Sequence, residues 1–254
     1  MYKENYLNNY IEIQDFGNNT LLKIFNKKKI DKFFYFKKII ALLNKLHLIK
    51  DRKIKDFKGR KYTIPNYDKK ILIKETNLFC DWYIKKNLEK NKKNFNQKFK
   101  KIVKKIVDNL KMKNEVFVHR DFHISNLMLV NKKLGIIDNQ DALIGNRAYD
   151  LASLIDDVRF KTSSEFKEKI YKYFIRNQKK AKDTEFRNDF EILSILRNLK
   201  IIGIFTRLAY RDGKKDYLKL IPYCWGLIDN RINENKTFID LKILLSENFP
   251  SKIK

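Results

Sequence analysis

The chain has 254 residues, 43% of them hydrophobic, and can bury a substantial core as one domain. Its formal charge of +27 comes from lysines spread along nearly the whole sequence beside many Asn, Ile, Phe and Tyr residues, a composition typical of an AT-rich genome, so we predict no nucleic-acid partner. There is no apolar run of about 18 residues and no signal-peptide pattern, which predicts no membrane span and a cytoplasmic location.

Most of the chain has the apolar spacing of amphipathic helices, beginning with 28–48. The segment 48–66 is polar and irregular and ends at Pro65, which predicts an exposed loop. Thr162 followed by Glu165 is a capping-box signal for one of the later helices. Further helices are predicted over 68–88, 95–112, 148–160, 163–180, 186–212 and 215–230.

The central part of the sequence interrupts this helical pattern. EVFVH at 115–119 is a short apolar run typical of a buried strand, and LMLV, NKK and LGIID over 127–138 are typical of two strands and a turn. This hairpin would return Asp138 to the side where Asp121 and Asn126 lie. The predicted fold class is therefore mainly α with a small β-hairpin (α+β).

The order His119, Asp121, Asn126, Asp138 is that of a phosphotransferase active site. Transfer of a phosphoryl group from a nucleotide to an alcohol needs a carboxylate that orients and deprotonates the acceptor, and oxygen ligands that hold Mg²⁺ at the phosphates. Asp121 fits the first role, and Asn126 with Asp138 fits the second.

HRDFHISNLMLV followed by LGIIDNQDALIGNRAYDLASLIDD resembles the catalytic segment of the aminoglycoside phosphotransferase and choline kinase superfamily, the small-molecule relatives of protein kinases. ETNLFCDWYI at 75–84 and RNLKIIGIFTRLAYRDGKKDYLKLIP at 197–222 look most similar to bacterial kinases that phosphorylate the anomeric hydroxyl of N-acetylmuramate and N-acetylglucosamine. The resemblance implies a protein-kinase-like C-terminal lobe, ATP as co-substrate, Mg²⁺ as cofactor and a role in cell-wall sugar recycling.

The resemblance also implies a role for each residue of the motif. Asp121 would be the catalytic base, and Asn126 and Asp138 would be the metal ligands. His119 would be a structural residue of the catalytic loop. Asp150, at the start of an apolar helix, would be the buried carboxylate that braces this loop.

A hinge can be located ahead of the motif, but no N-terminal lobe. IEIQDFG at 11–17 resembles the family's hinge, where Gln14, Asp15, Phe16 and Gly17 would contact adenine. The seven glycines lie too far apart for a glycine-rich phosphate loop. Either the chain is truncated, or a separate polypeptide supplies the N-terminal lobe, or the chain is a non-catalytic kinase-like module that binds a partner or a sugar.

The predicted organisation is a single phosphotransferase domain, 1–254. It has a hinge-like segment, 11–17, and a helical lobe, 28–230, which contains the catalytic loop 119–126 and the metal-binding hairpin 127–138.

The acceptor is expected between the catalytic loop and the helices that follow the hinge. Glu75, Gln140 and Asp141 could hydrogen-bond sugar hydroxyls, and Trp82 could cover the apolar face of a pyranose. Arg197 could bind an anionic substituent such as a lactyl carboxylate. Other interpretations stay open: Trp82 as a core residue, Glu75 as the brace of a loop, and an aminoglycoside or another small alcohol as the acceptor.

Overall fold

Most of the residues that the structure describes lie in helices around a hydrophobic core, and the predicted fold class is confirmed. The computed structural model describes residues 3–5, 7–8, 10–27, 29–56, 58–178, 182–233 and 235–253. The α-helices are α1 (Leu21–Lys27), α2 (Lys32–His47), α3 (Lys69–Thr76), α4 (Lys85–Asn87), α5 (Lys92–Asp108), α6 (Ala148–Ile155), α7 (Ser164–Arg176), α8 (Asp183–Arg211), α9 (Ile221–Ile232) and α10 (Ile239–Asn248).

The strands pair in antiparallel twos, β1 with β2, β3 with β4, β5 with β8 and β6 with β7. The β6–β7 hairpin is the one that the sequence predicts, with a turn at Asn131 and Lys132. Both turn residues have left-handed backbone angles, φ +46° and +63°, as a two-residue type I′ turn requires. The strands are β1 (Lys3–Asn5), β2 (Tyr10–Glu12), β3 (Lys53–Lys55), β4 (Lys61–Thr63), β5 (Val116–Val118), β6 (Leu127–Val130), β7 (Lys133–Ile136) and β8 (Leu143–Gly145).

Helix α8 crosses the centre of the molecule, and most of its residues are buried. It packs against a π-helix, Phe79–Ile84, that lies between α3 and α4. At Gly203 the two backbones are so close that a Cβ atom would overlap the carbonyl group of Leu78. Glycine is therefore needed at position 203 for the backbone of α8 to pack this closely against Leu78. None of the helices in the described ranges combines the length and the apolar character needed to cross a membrane.

Aromatic rings fill the contact between the π-helix and α9. The ring centroid of Phe79 lies 5.3 Å from that of Tyr83 and 5.7 Å from that of Trp225. Trp225 Nε1 donates a hydrogen bond of 3.2 Å to the Tyr83 hydroxyl, so the buried indole N–H is satisfied. Phe79 is fully buried here, as a core residue.

Several predicted elements differ from the observed ones. The segment 48–66 is exposed, but it contains the β3–β4 hairpin, which the irregular sequence pattern does not reveal. The predicted cap of α7 is displaced by one residue, because Ser163 rather than Thr162 accepts the hydrogen bond from the Phe166 N–H, at 3.2 Å. The predicted turn over 131–133 is one residue too long, because Lys133 already pairs with Val130.

Candidate active site

The catalytic loop leaves β5 with a sharp backbone turn. Arg120 has φ +73°, a left-handed conformation that is unfavourable for a residue with a side chain. The fully buried carboxylate of Asp150, in the first turn of α6, accepts hydrogen bonds from the backbone N–H groups of His119 and Arg120, at 2.7 and 3.0 Å. Burial raises the pKa of Asp150 to about 7, although the two N–H donors and the nearby Arg197 favour its charged form. Asp150 thus fixes the strained start of the loop.

His119 links the catalytic loop to the end of the hairpin. Its buried ring places Nε2 3.0 Å from the carbonyl oxygen of Ile137, the residue before Asp138. Burial lowers the pKa of His119, so the ring is neutral and Nε2 is the nitrogen that donates to this carbonyl. The Ile137 N–H in turn donates to the carbonyl of Asn126, at 3.1 Å. The loop and the hairpin are therefore joined by two bonds beside the candidate metal ligands.

Asp121, Asn126 and Asp138 line one cavity of about 330 Å³. Asp138 also has a left-handed backbone, φ +68°, two residues after strand β7 ends. Gln140 Nε2 donates to one oxygen of the Asp138 carboxylate, at 2.7 Å. The structure thus brings together the three residues that the sequence predicts for base and metal, and it places Gln140 against one of them.

The oxygen atoms at this end of the cavity fit a hard divalent cation. Asn126 Nδ2 donates to the backbone carbonyl of Asp121, at 3.1 Å, which leaves the amide oxygen of Asn126 free. One oxygen of Asp138 is free of hydrogen bonds to the described residues. No cluster of three or more His, Cys, Asp or Glu side chains suited to a metal occurs in the described part of the chain. Two side-chain oxygens with water and phosphate around them form the type of site that Mg²⁺ prefers over a closed protein cage.

Helix α8 forms the opposite wall of this cavity. The residues that it contributes follow a spacing of three and four, so they lie on a single helical face. They are Arg197, Lys200, Ile201, Ile204 and Phe205.

Glu75 does not line the cavity, but it connects the two walls. Its carboxylate accepts hydrogen bonds from Arg120 of the catalytic loop, from Lys200 of α8, at 2.8 Å, and from the Tyr67 hydroxyl. Burial favours the neutral acid, but these partners outweigh it and lower the pKa of the Glu75 carboxyl below its usual value. The bracing interpretation of Glu75 fits these contacts, and direct binding of an acceptor does not.

Of the predicted acceptor residues, all of which lie in the described ranges, only Arg197 lines the cavity. Trp82 is half-buried on the π-helix, and the Asp141 side chain is exposed. The backbone carbonyl of Asp141 accepts a hydrogen bond of 2.8 Å from Arg120, and Gln140 is bonded to Asp138. A direct role for Trp82 or Asp141 in acceptor binding is therefore not supported by this geometry.

The hinge-like segment lies against the β6–β7 hairpin, outside the cavity. The ring of Phe16 covers Gly135 so closely that a side chain at 135 would collide with it. Gln14 and Asp15 are exposed, and the Asp15 carboxylate accepts a hydrogen bond from the N–H of Gly17, at 2.7 Å, where the backbone has φ +67°. The segment is thus anchored beside the hairpin that carries Asp138.

A family model described as the phosphotransferase enzyme family matches residues 35–199, which is more than half of the chain. The chain belongs to this phosphotransferase enzyme family. The predicted superfamily is thereby confirmed.

Two relatives within the family carry the same name. The chain is 37% identical over 175 residues to an N-acetylmuramate/N-acetylglucosamine kinase of Neisseria meningitidis, a match that covers 65% of this chain and 51% of that protein. It is 29% identical over 249 residues to the N-acetylmuramate/N-acetylglucosamine kinase of Pseudomonas aeruginosa, covering 94% of this chain and 70% of that protein. The chain therefore matches only about half of the length of the Neisseria relative.

Solved structures of small-molecule kinases share the fold of this chain. A choline/ethanolamine kinase family protein from Mesorhizobium loti superposes with a TM-score of 0.55 at 13% identity, covering 91% of this chain and 70% of that one. An amicoumacin kinase superposes with a TM-score of 0.54 at 15% identity, covering 80% of this chain and 62% of that one. The predicted protein-kinase-like fold is confirmed.

The sequence pattern does not reveal six further polar residues that line the cavity. Three of them lie inside the motif, but their letters alone do not separate structural from ligand-facing side chains. The helical spacing from Arg197 to Phe205 is the signal that could identify the wall on α8. The six residues are Arg120, His123, Ser125, Tyr149, Arg159 and Lys200.

Proposed function

We propose that this protein transfers the γ-phosphoryl group of ATP to a hydroxyl group of an N-acetylated amino sugar, with the anomeric hydroxyl of N-acetylmuramate or N-acetylglucosamine as acceptor, in cell-wall sugar recycling. The observation that carries the proposal is the position of Asp121, Asn126 and Asp138 around one cavity. The names of the Neisseria and Pseudomonas relatives support the choice of acceptor.

In the proposed reaction, Asp121 accepts the proton of the acceptor hydroxyl as its oxygen forms a bond to the γ-phosphorus. The bond between this phosphorus and the bridging oxygen breaks, and ADP leaves with the electron pair. Asn126 and Asp138 would hold Mg²⁺, which when bound neutralises charge on the β- and γ-phosphates. Asp150 and His119 keep Asp121 in place through the loop backbone.

Adenine would contact the backbone from Gln14 to Gly17, next to the hairpin of Asp138. A separate polypeptide that supplies a glycine-rich loop and a strand lysine stays a prediction. An assay of the chain alone, and with added cell extract from its source, tests whether such a component raises the rate of transfer.

The test of the proposal is Mg²⁺-dependent transfer from ATP to a panel of acceptors: N-acetylmuramate, N-acetylglucosamine, choline and an aminoglycoside. We expect phosphorylated amino sugar from the wild type. Asp121→Asn should lower kcat by about 1,000-fold or more and leave nucleotide binding intact, because the variant cannot accept the proton. Asp108→Asn, which alters an exposed carboxylate paired with Lys69, is the matched control and should keep wild-type activity.

Two results would contradict the proposal. Wild-type turnover in Asp121→Asn would remove the assignment of the base. If a sugar binds but no phosphoryl transfer occurs under all of these conditions, the chain is a kinase-like binding module instead.

A further inference from the structure

Arg197 has an unpaired donor in the wall of the catalytic cavity. The residue is only 4% exposed, and its Nη1 atom is enclosed without a hydrogen-bond partner among the described residues. Buried donors are nearly always paired in folded proteins, because an unpaired one has lost water and gained nothing in exchange. Arg197, a residue of the cavity wall, therefore keeps a hydrogen-bond donor that the described residues do not use.

The other cations of the cavity already have partners. Arg120 and Lys200 share the carboxylate of Glu75, and Arg159 lies 4.0 Å from an oxygen of Asp157. Arg197 makes no ion pair with any residue in the described ranges. The positive charge that remains for a ligand is therefore that of Arg197.

Asp150 does not take the place of such a ligand. The charge of Arg197 favours the ionised form of Asp150, so the two groups are near each other. However, both oxygens of Asp150 already accept backbone N–H groups of the catalytic loop, and no hydrogen bond joins Asp150 to Arg197 in the described structure. Nη1 of Arg197 is thus left unpaired even beside this carboxylate.

Two neutral polar groups accompany Arg197 on the cavity wall. His123 Nδ1 and Ser125 Oγ are also enclosed and lack partners among the described residues. Burial lowers the pKa of His123 to about 3, with a further contribution from Arg159, so its ring is neutral at physiological pH. Both groups can form hydrogen bonds to a ligand without adding negative charge.

The cavity is therefore electrically polarised. Its exposed part carries the carboxylates of Asp121 and Asp138, and its enclosed part carries the unpaired guanidinium of Arg197. An anionic substituent is repelled from the first part and attracted to the second. The planar guanidinium fork matches a carboxylate with two parallel hydrogen bonds.

We infer that Arg197, with Ser125 and His123, forms a subsite for a carboxylate carried by the acceptor, and that the preferred acceptor is an acidic amino sugar. This inference rests on the proposed function and extends it. Among the proposed acceptors, N-acetylmuramate carries a lactyl carboxylate and N-acetylglucosamine has none, so Arg197 is the residue that distinguishes them.

The experiment compares these two sugars in binding and in turnover. Calorimetry without nucleotide gives the Kd of each sugar, and the kinase assay gives kcat/KM. Arg197→Gln should weaken N-acetylmuramate binding by about 10- to 100-fold, the range expected for a lost charge-assisted pair, and change N-acetylglucosamine binding by less than about threefold. Arg197→Lys keeps the charge but loses the planar guanidinium. Its affinity for N-acetylmuramate should lie between those of the wild type and of Arg197→Gln. Arg211→Gln, on the exposed end of α8 and paired with Asp212, is the control and should match the wild type.

Each other outcome overturns the inference. An equal loss for both sugars means that Arg197 only supports the fold near Asp150. Weaker nucleotide binding with unchanged sugar preference means that Arg197 serves a phosphate group. Thermal melting identifies a misfolded variant, and if Arg197→Gln fails to fold, Arg197→Lys carries the same comparison because it keeps a positive charge beside Asp150.

The two assays separate this inference from the proposed function. If neither sugar is phosphorylated but N-acetylmuramate binds more tightly through Arg197, the kinase proposal fails and the carboxylate subsite stands. If both sugars are phosphorylated and Arg197→Gln leaves their ratio unchanged, the kinase proposal stands and the subsite fails.

Discussion

The two walls of the cavity are built in different ways. The wall that carries Asp121, Asn126 and Asp138 consists of short strands and loops, and two of its residues, Arg120 and Asp138, have left-handed backbones. The opposite wall is one face of the long, regular helix α8. Left-handed residues are maintained only where the surrounding structure holds them, whereas a helix presents side chains without such strain.

We expect the loop wall to carry out the reaction and the helical wall to select the acceptor. The loop wall places the proposed base and metal ligands through bonds to the backbone, chiefly those of Asp150 and His119. The helical wall holds its side chains on regular backbone, so a substitution there should leave the backbone of the loop wall unchanged. We expect variants of the first wall to lower kcat and variants of the second to change KM.

Asp156 joins the helices behind the two walls, and its loss should have the largest effect. It ends α6, is fully buried, and binds Arg231 of α9, Lys167 of α7 and Ser194 of α8. Asp156→Asn would remove the buried negative charge that two cations bind, which should cost about 3–5 kcal/mol of unfolding free energy at pH 7. Thermal denaturation followed by circular dichroism measures this loss.

The same variant has an expected pH dependence. Burial alone would raise the pKa of Asp156, but the Arg231 and Lys167 charges outweigh it and hold this pKa well below its usual range. The stabilisation is therefore present above the unfolded pKa of about 4 and is lost as the pH falls below it. The difference in Tm between wild type and Asp156→Asn should shrink from pH 7 to pH 3. Asp216→Asn, an exposed ion-pair control, should show no measurable difference at either pH. A constant difference for Asp156→Asn would contradict the assignment.

Gly203→Ala tests whether close backbone contact positions the helical wall. The new Cβ would overlap the Leu78 carbonyl, so the backbone must move. We expect the free energy of unfolding, measured with urea, to fall by about 2–3 kcal/mol, and the KM for the acceptor to rise. Gly226→Ala in α9 is the matched control, because its Cβ would meet no atom within 4 Å. It should stabilise the protein by about 0.5–1 kcal/mol. Similar unfolding free energies for Gly203→Ala and Gly226→Ala would show that the position of α8 does not depend on this contact.

Glu75→Gln tests whether the two walls act independently. Its carboxylate holds Arg120 on one wall and Lys200 on the other, so the variant should lower kcat and raise KM together, with a fall in kcat/KM of about tenfold. The effect on stability should be smaller than that of Asp156→Asn, because the Glu75 side chain is 15% exposed and that of Asp156 only 1%. Glu89→Gln, an exposed carboxylate, is the control. A change in KM alone would show that the loop wall does not need Glu75.

The loop wall could be predicted from sequence because its residues occur in a fixed order around short strands. The hairpin was predicted with a turn one residue too long, since Lys132 takes a left-handed conformation that lysine rarely adopts. The wall on α8 was mostly missed, because apolar residues such as Ile201 and Phe205 have the same spacing in a buried helix as beside a cavity.

The role of Glu75 was beyond the reach of local patterns. One of its partners, Lys200, lies 125 positions along the chain, and nothing near Glu75 in the sequence indicates that contact. Periodicity identifies the buried face of a helix, but not which distant side chain meets it. For the same reason β8, which pairs with β5 across the catalytic segment, was not recognised as a strand.

The bond between His119 and Ile137 has a consequence for the path of the proton. The His119 ring is neutral and its Nε2–H is occupied by a backbone carbonyl, so this ring cannot receive a proton from the Asp121 side chain through that nitrogen. Asp121 itself is exposed to solvent. If Asp121 is the base, as we propose, its exposed carboxylate can pass the proton of the acceptor to solvent without using Nε2 of His119.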